Sequence, residues 1–177
     1  TLFATHDIER IYLALTRGAP RPASGTVHTK LARSSTDRKR MAVYGSRERP
    51  DARDAVTHYR VRERFGRLDK TSAWPAAALV ECRLETGRTH QIRVHMAHLG
   101  HPLIGDSVYG RHRGLKAYGS GPAFDTATQT ARRLTRQALH AAVLGFVHPV
   151  TGETLRFEAP LPDDLSTLLD ALRAMPR

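Results

Sequence analysis

Hydrophobic and polar residues alternate with a period of two along several stretches of this chain. In "ERIYLALTRG" (residues 9–18), Ile11, Leu13 and Leu15 fall on one side and Arg10, Tyr12 and Ala14 on the other. That alternation predicts a half-buried strand, ended by Gly18 and Pro20. "AVTHYRVRERFG" (55–66) predicts a second strand, with Val56, His58, Arg60 and Arg62 opposite Tyr59, Val61 and Phe65. "AAALVECRLETG" (76–87) predicts a third, on which Ala78, Val80, Cys82 and Leu84 share a face. The piece between these two, "RLDKTSAWP", fits a hairpin connection. Residues 139–160, "LHAAVLGFVHPVTGETLRFEAP", read as a strand, a Pro/Gly turn and a strand.

Elsewhere the period lengthens. After Thr89, a predicted cap, Ile92, Met96 and Leu99 make the buried stripe of a helix that Gly100 and Pro102 stop. "DDLSTLLDALRAM" (163–175) predicts a closing helix with Leu165, Leu168, Leu169 and Leu172 inward. Residues 23–54 are polar and Arg-rich with weak periodicity, and are expected to form short strands and mobile loops; 119–130 reads as a loop. Strands outnumber helices and hairpins dominate. The expected class is therefore α+β, a mainly antiparallel mixed sheet with flanking helices, as a single domain over 1–177.

Composition sharpens the picture. At 40% hydrophobic and 25% charged, the 177 residues have a globular make-up. The formal net charge is +11, and only four of the 28 basic residues are Lys. Arg forks match phosphate geometry, which favours a polyanionic partner over a merely solvated basic surface. No apolar run reaches the length of a membrane span, and "TLFATHDIER" does not read as a signal peptide, so no membrane partner is expected. A single cysteine, Cys82, excludes an internal disulfide and favours a cytoplasmic location.

The densest chemistry lies in "ETGRTHQIRVHMAHLGHPLIGD" (85–106), with His90, His95, His98 and His101. Ligands on one helical face need a spacing of three or four. Only His95 and His98 have it; His90 is five residues before His95, and His101 lies past the helix stop. There is no HExxH, and the only thiol is Cys82, so no metal is expected. Hydrogen bonding within a packed basic face accounts for these histidines.

The longer block "LETGRTHQIRVHMAHLGHPLIGDSVYG" (84–110) resembles the signature of the RluA/RluD-type RNA pseudouridine synthases. "ERIYLALTRG" is similar to the strand that carries that family's active-site tyrosine. "AVTHYRVRERFG" and "ALVECRLETGRTHQIRVH" follow in the family's order, and "RQALHAAVLGFVHPVTGETLRFEAPLPDDL" (136–165) resembles its C-terminal segment. The resemblance implies isomerisation of uridine to pseudouridine within RNA, ribosomal in preference to transfer RNA, with an aspartate as nucleophile and no cofactor. The base is detached from its ribose, turned, and rejoined through carbon. A folded RNA must first extrude the target nucleotide. Residue by residue, the resemblance makes Tyr12 the tyrosine that stacks on the base and can move a proton, and Arg93 the partner of the catalytic carboxylate. It makes Arg88 a phosphate contact, and Leu103 with Ile104 the apolar wall against the target base.

In the family the nucleophilic aspartate sits in an "HRLDxxTSG"-like block upstream of the tyrosine strand, and eleven residues precede Tyr12 here. The upstream part of the catalytic domain is thus expected to be missing, and this chain alone to be inactive. "GRLDKTSAW" (66–74) resembles that block in letters, and Asp69 is the only carboxylate the sequence offers in its place. It lacks the preceding His and the following Gly, and it falls in a hairpin connection, where an Asp is ordinarily a turn former. Two readings stay open: a portion of a synthase, or a non-catalytic basic RNA-binding module of the same ancestry. A carboxylate beside Arg93 discriminates them.

Overall fold

The computed structural model describes residues 8–45, 49–71, 73–110 and 114–176. The first seven residues and Ser72 of the Asp69 block lie outside the described residues. Seven strands form one sheet: β1 (Glu9–Arg17), β2 (Ser24–Arg33), β3 (Met41–Tyr44), β4 (Arg53–Phe65), β5 (Ala77–Leu84), β6 (Leu139–Val147) and β7 (Thr154–Glu158). Their order is β3-β2-β4-β5-β1-β6-β7, and every pairing among them is antiparallel. Three helices flank it: α1 (Gln91–His98), α2 (Pro122–Arg133) and α3 (Asp163–Arg173).

Alternation on the two central strands separates the core into layers. On β1, Tyr12 and Ala14 face the side that α1 covers; they stand opposite Cys82 and Val80 of β5, and Ile92 and Met96 of α1 close that cluster. Leu13 and Leu15 face the other side, where α2 and α3 bury Leu165, Leu168, Leu169 and Leu172. Burying each such leucine contributes about 2 kcal/mol. Since β5 is covered on both faces, Ala77 through Cys82 are all buried.

Three expectations are corrected. Phe65 does not share a face with Tyr59 and Val61. The register of β4 against β5 shifts between Val61 and Glu63, and this extra residue turns Phe65 into the α2/α3 cluster while Tyr59 stays under α1. The stretch 23–54 contains a full ten-residue strand, β2, whose inward series Val27, Thr29, Leu31 looks polar because Thr29 serves a buried histidine. Residues 119–130 are not a loop: Pro122 opens α2 at its first turn, where a missing N–H costs nothing, and Ala127 and Ala131 pack inward.

The segment after α1 is stitched into the end of β1. The Ile104 N–H donates to Leu15 O at 2.9 Å, Ala138 N–H donates to Ile104 O at 2.8 Å, and Leu15 N–H donates to Ala138 O at 3.0 Å. Gly105, at φ +75°, makes the turn, and a Cβ there would sit 2.1 Å from Arg136 O. Both the conformation and the space exclude a side chain. Gly105→Ala is expected to destabilise by about 3 kcal/mol or more, seen as a lower denaturation midpoint at unchanged slope; a midpoint within error of the parent would contradict the close approach.

Candidate active site

Helix α1 is short, and its start is set by side chains rather than by a cap. Thr89 does not cap it. His90 occupies the cap position in the left-handed region (φ 56°) with no side-chain cap bond. Gln91 carries the work instead. Its Oε1 accepts from Thr86 Oγ1 (2.8 Å) and Arg88 N (3.0 Å), and its Nε2 donates to Val56 O and Thr57 Oγ1 (2.9 Å each). All four hydrogen-bonding positions of this buried amide are filled, tying the helix start to β4.

His95 extends the network. Nδ1 lies 2.9 Å from Thr57 Oγ1 and Nε2 lies 2.9 Å from Thr29 Oγ1. Thr57 already accepts from Gln91, so its hydroxyl proton is used if it donates to Nδ1, leaving Nε2–H to donate to Thr29. Burial, with smaller contributions from His98 and His28, pushes His95 down to about 4. The neutral ring is the folded form. Stability from this group is present above the ordinary value of 6.5 and is lost as pH falls toward about 4. His90 and His101 are pushed down too, each chiefly by burial. Thermal melts are expected to show the fold about 2 kcal/mol less stable at pH 5 than at pH 7, with most of the difference gone in His95→Gln; a flat profile would contradict a neutral His95.

The four histidines diverge. His90 Nδ1 hydrogen-bonds Tyr109 Oη (2.9 Å), His95 faces the sheet, His98 is exposed, and His101 Nδ1 donates to Arg17 O (3.1 Å). Among the described residues no group of three or more His, Cys, Asp or Glu is placed to hold a metal ion.

Arg93, the third residue of α1, points away from the sheet to Asp106. Nε donates to Oδ2 at 2.7 Å and Nη2 to Oδ1 at 2.9 Å, a buried bidentate fork. The Val108 and Tyr109 N–H groups also donate to Oδ1, at 2.9 and 3.0 Å. Burial pulls the Asp106 carboxyl up, but the Arg93 guanidinium and these two N–H groups hold it below the usual carboxylate value. The bond to Asp106 pushes Arg93 further up. A cation in the first turn of a helix opposes the helix dipole, and α1 has no acidic residue there, so Asp106 supplies the compensating charge from outside. The Tyr109 ring lies 5.0 Å from the guanidinium carbon. Nη1 makes no hydrogen bond among the described residues.

This corrects the expectation that only Asp69 offered a carboxylate. The acid beside Arg93 is Asp106, thirteen residues on, fully buried and holding four donors. Asp69 is exposed in the β4–β5 connection, where its Oδ1 accepts from Thr71 N and Oγ1 at 2.9 and 3.0 Å, the geometry of a turn former. Sequence inspection passed over Asp106 and Gln91; the signal for Asp106 was an Asp directly after a glycine turn with Tyr109 three residues later.

Tyr12 is half-buried on the α1 side of the sheet, and its hydroxyl makes no hydrogen bond among the described residues. Leu103 is fully buried in the cluster that Tyr12 packs against and pairs with Thr16 at the end of β1. Ile104, also fully buried, points into the α2/α3 cluster. The structure therefore brings Leu103, not Ile104, to the Tyr12 side. Arg88, at the mouth of α1, donates from Nε to Asp54 O at 2.9 Å.

Residues 1–98 match the model of a family described as RNA pseudouridylate synthase. The chain belongs to that family. It is 49% identical over 170 residues to the "Ribosomal large subunit pseudouridine synthase D" of Xanthomonas campestris pv. campestris, covering 96% of this chain and 46% of that protein. It is 42% identical over 177 residues to "RNA pseudouridine synthase 2, chloroplastic" of Arabidopsis thaliana, covering 97% and 40%. The chain thus spans about half the length of the curated relatives it matches. Among solved structures, "Human RNA Pseudouridylate Synthase Domain Containing 4" superposes with a TM-score of 0.67 at 28% identity, covering 97% of this chain and 65% of that one. The pseudouridine synthase fold and family inferred from the four blocks are thereby shown. No helix of the described residues is long and apolar enough to cross a membrane.

Proposed function

We propose that the protein isomerises uridine to pseudouridine in RNA, with large-subunit ribosomal RNA as the substrate class, and that this chain is a single domain supplying the tyrosine and arginine side of the site. The observation that carries this is the Arg93 guanidinium, held on one edge by Asp106 while Nη1 has no partner among the described residues. A guanidinium so oriented is set to receive a second carboxylate and keep it ionised as a nucleophile. Asp106 is not that nucleophile in this reading, because its lone pairs are spent on four donors and no solvent reaches it. Nor is Asp69, an exposed turn residue. The nucleophilic aspartate comes from outside the described residues, and the 177 residues alone bind RNA without turning it over.

Tyr12 stacks on the extruded base. Leu103 backs the pocket wall with Ile104 anchoring it in the core, and Arg88 contacts phosphate. The N1–C1′ bond breaks, the base turns, a C5–C1′ bond forms, and the proton on C5 is lost as N1 gains one. No cofactor or metal enters the scheme. A cytoplasmic location belongs to the same reading; it rests on the single cysteine, whose buried thiol is pushed up to about 12 by burial.

Release of tritium from RNA labelled at uridine C5 tests the reaction directly. The whole protein is expected to release it and the 177 residues alone are not; no release by the whole protein from any ribosomal transcript would refute the reading. RNA affinity of the chain should fall by orders of magnitude between about 50 and 200 mM salt, as phosphate contacts require.

A further inference from the structure

We propose that Tyr109 is a positioning residue of the site: it pins the start of α1 to the β2–β3 hairpin and lies against the Arg93 guanidinium, and so holds that group in the orientation the nucleophile needs. This role rests on the reading of Arg93 as the partner of a second carboxylate, and falls to a side chain which that reading leaves unused. Tyr109 is buried and touches each part of the Arg93 site. Its N–H donates to Asp106 Oδ1 at 3.0 Å, and the Arg93 guanidinium carbon lies over its ring, 5.0 Å from the centroid. Its hydroxyl accepts from the N–H of Met41, the first residue of β3, at 2.8 Å, and lies 2.9 Å from His90 Nδ1. The His90 and Tyr109 rings meet edge to face, with centroids 5.6 Å apart.

The chemistry of these groups sets the direction of the bonds. Burial pushes the phenol up, so Oη keeps its proton. Met41 takes one lone pair, and the proton is available to His90 Nδ1. Burial, and next the Arg93 charge, hold His90 below its usual value, so the ring is neutral and can accept. His90 directly precedes α1 and is the only non-glycine with a positive φ among the described residues. A left-handed histidine is costly and persists only where its surroundings hold it. Gln91 ties the helix start to β4, and Tyr109, through His90, ties it to β3. Arg93 follows within the same turn of an eight-residue helix, so any shift of the start is carried to its side chain. The Asp106 fork grips one edge of the guanidinium, and the Tyr109 ring face restrains rotation about that edge. Phenylalanine would fill nearly the same space; the two bonds of the hydroxyl are what this position adds to packing.

Tyr109→Phe keeps the ring and removes the clamp, and Tyr109→Leu removes both. Each is compared with the parent, as the whole protein, in three measurements. These are the maximal single-turnover rate of tritium release, RNA affinity, and hydrogen exchange of the Arg93 Nε–H resonance, identified by its loss in Arg93→Lys. The maximal rate is expected to fall about tenfold in Tyr109→Phe and about a hundredfold in Tyr109→Leu. RNA affinity is expected to stay within about threefold of the parent in both. Exchange at Arg93 Nε–H is expected to quicken in the same order while the backbone amides of β5 keep their protection, which separates a released guanidinium from a loosened fold. Parent rates in both variants, unchanged Arg93 exchange, or a rate loss accounted for by weaker RNA binding would overturn this role and leave the proposed reaction intact. Quickened exchange with no tritium release even by the parent would uphold the positioning of Arg93 and refute the reaction. Unchanged exchange together with no release by the parent would refute both.

Discussion

Arg93→Ala is expected to abolish turnover in the whole protein and, separately, to damage the fold. The two effects have different causes and different rescues. Removing the guanidinium leaves the Asp106 carboxylate buried with only two backbone N–H donors. Breaking a buried pair from one side costs about 3–5 kcal/mol, most of it the stranded charge. Removing both partners relieves that charge, so Arg93→Ala/Asp106→Ala is expected to recover a good part of the stability. It is not expected to recover the reaction, because the group that orients the nucleophile in the proposed site is still gone. Arg93→Lys keeps the charge but loses the planar fork; a single ammonium cannot serve Asp106 through two bonds and present a third donor in a set direction. Single-turnover rates should fall by orders of magnitude in all three variants, with RNA affinity expected to change only modestly, since a chain of net charge +11 keeps many other arginines to meet phosphate. Normal turnover in Arg93→Lys would show that Arg93 is a structural partner of Asp106 and nothing more.

The second large effect is expected at Tyr12. Its ring is held on one side by the cluster of Ala14, Val80, Cys82 and Ile92, and its hydroxyl is free of hydrogen bonds among the described residues. In the proposed site, Tyr12→Ala removes a stacking platform worth roughly 1–3 kcal/mol to an extruded base, and with it the proton-moving hydroxyl that the family resemblance implies. Tyr12→Phe keeps the platform. Turnover should therefore collapse in Tyr12→Ala, while the fate of Tyr12→Phe separates stacking from proton transfer. Because the side chain is half-buried at a sheet surface, neither change should cost the fold more than about 2 kcal/mol. Should Tyr12→Ala isomerise uridine at the parent rate under single-turnover conditions, Tyr12 has no place at the reacting base.

Much of the architecture was legible because its cause is local. The period of two on β1 placed Tyr12 on the opposite side from Leu13 and Leu15, and the structure keeps that division. The grouping of Ala78, Val80, Cys82 and Leu84 and the inward leucines of α3 held for the same reason: a side chain's direction follows from its position in a regular element. The loop reading of 119–130 went astray because Ala127 and Ala131 are small, and their apolar face is apparent only once α3 packs against it. The strands expected in 23–54 are present, but the full length of β2 was hidden because Thr29 is an inward residue of polar character, which makes sense only beside His95.

At the site the division is sharper. Sequence alone singled out Arg93 and Tyr12 by their motifs and set Tyr12's face by alternation. What Arg93 touches was decided by tertiary structure. Asp106 is thirteen residues away across a helix stop and a glycine turn, and no periodicity links them; Gly105 at φ +75° and the stitch of Ile104 to Leu15 bring the carboxylate back to the helix. The side on which Phe65 is buried was decided the same way, by one extra residue in the pairing of β4 with β5. A regular element carries its pattern in its own residues, whereas a bulge, a turn and a buried ion pair depend on what lies across from them, and that is set only when the chain has folded.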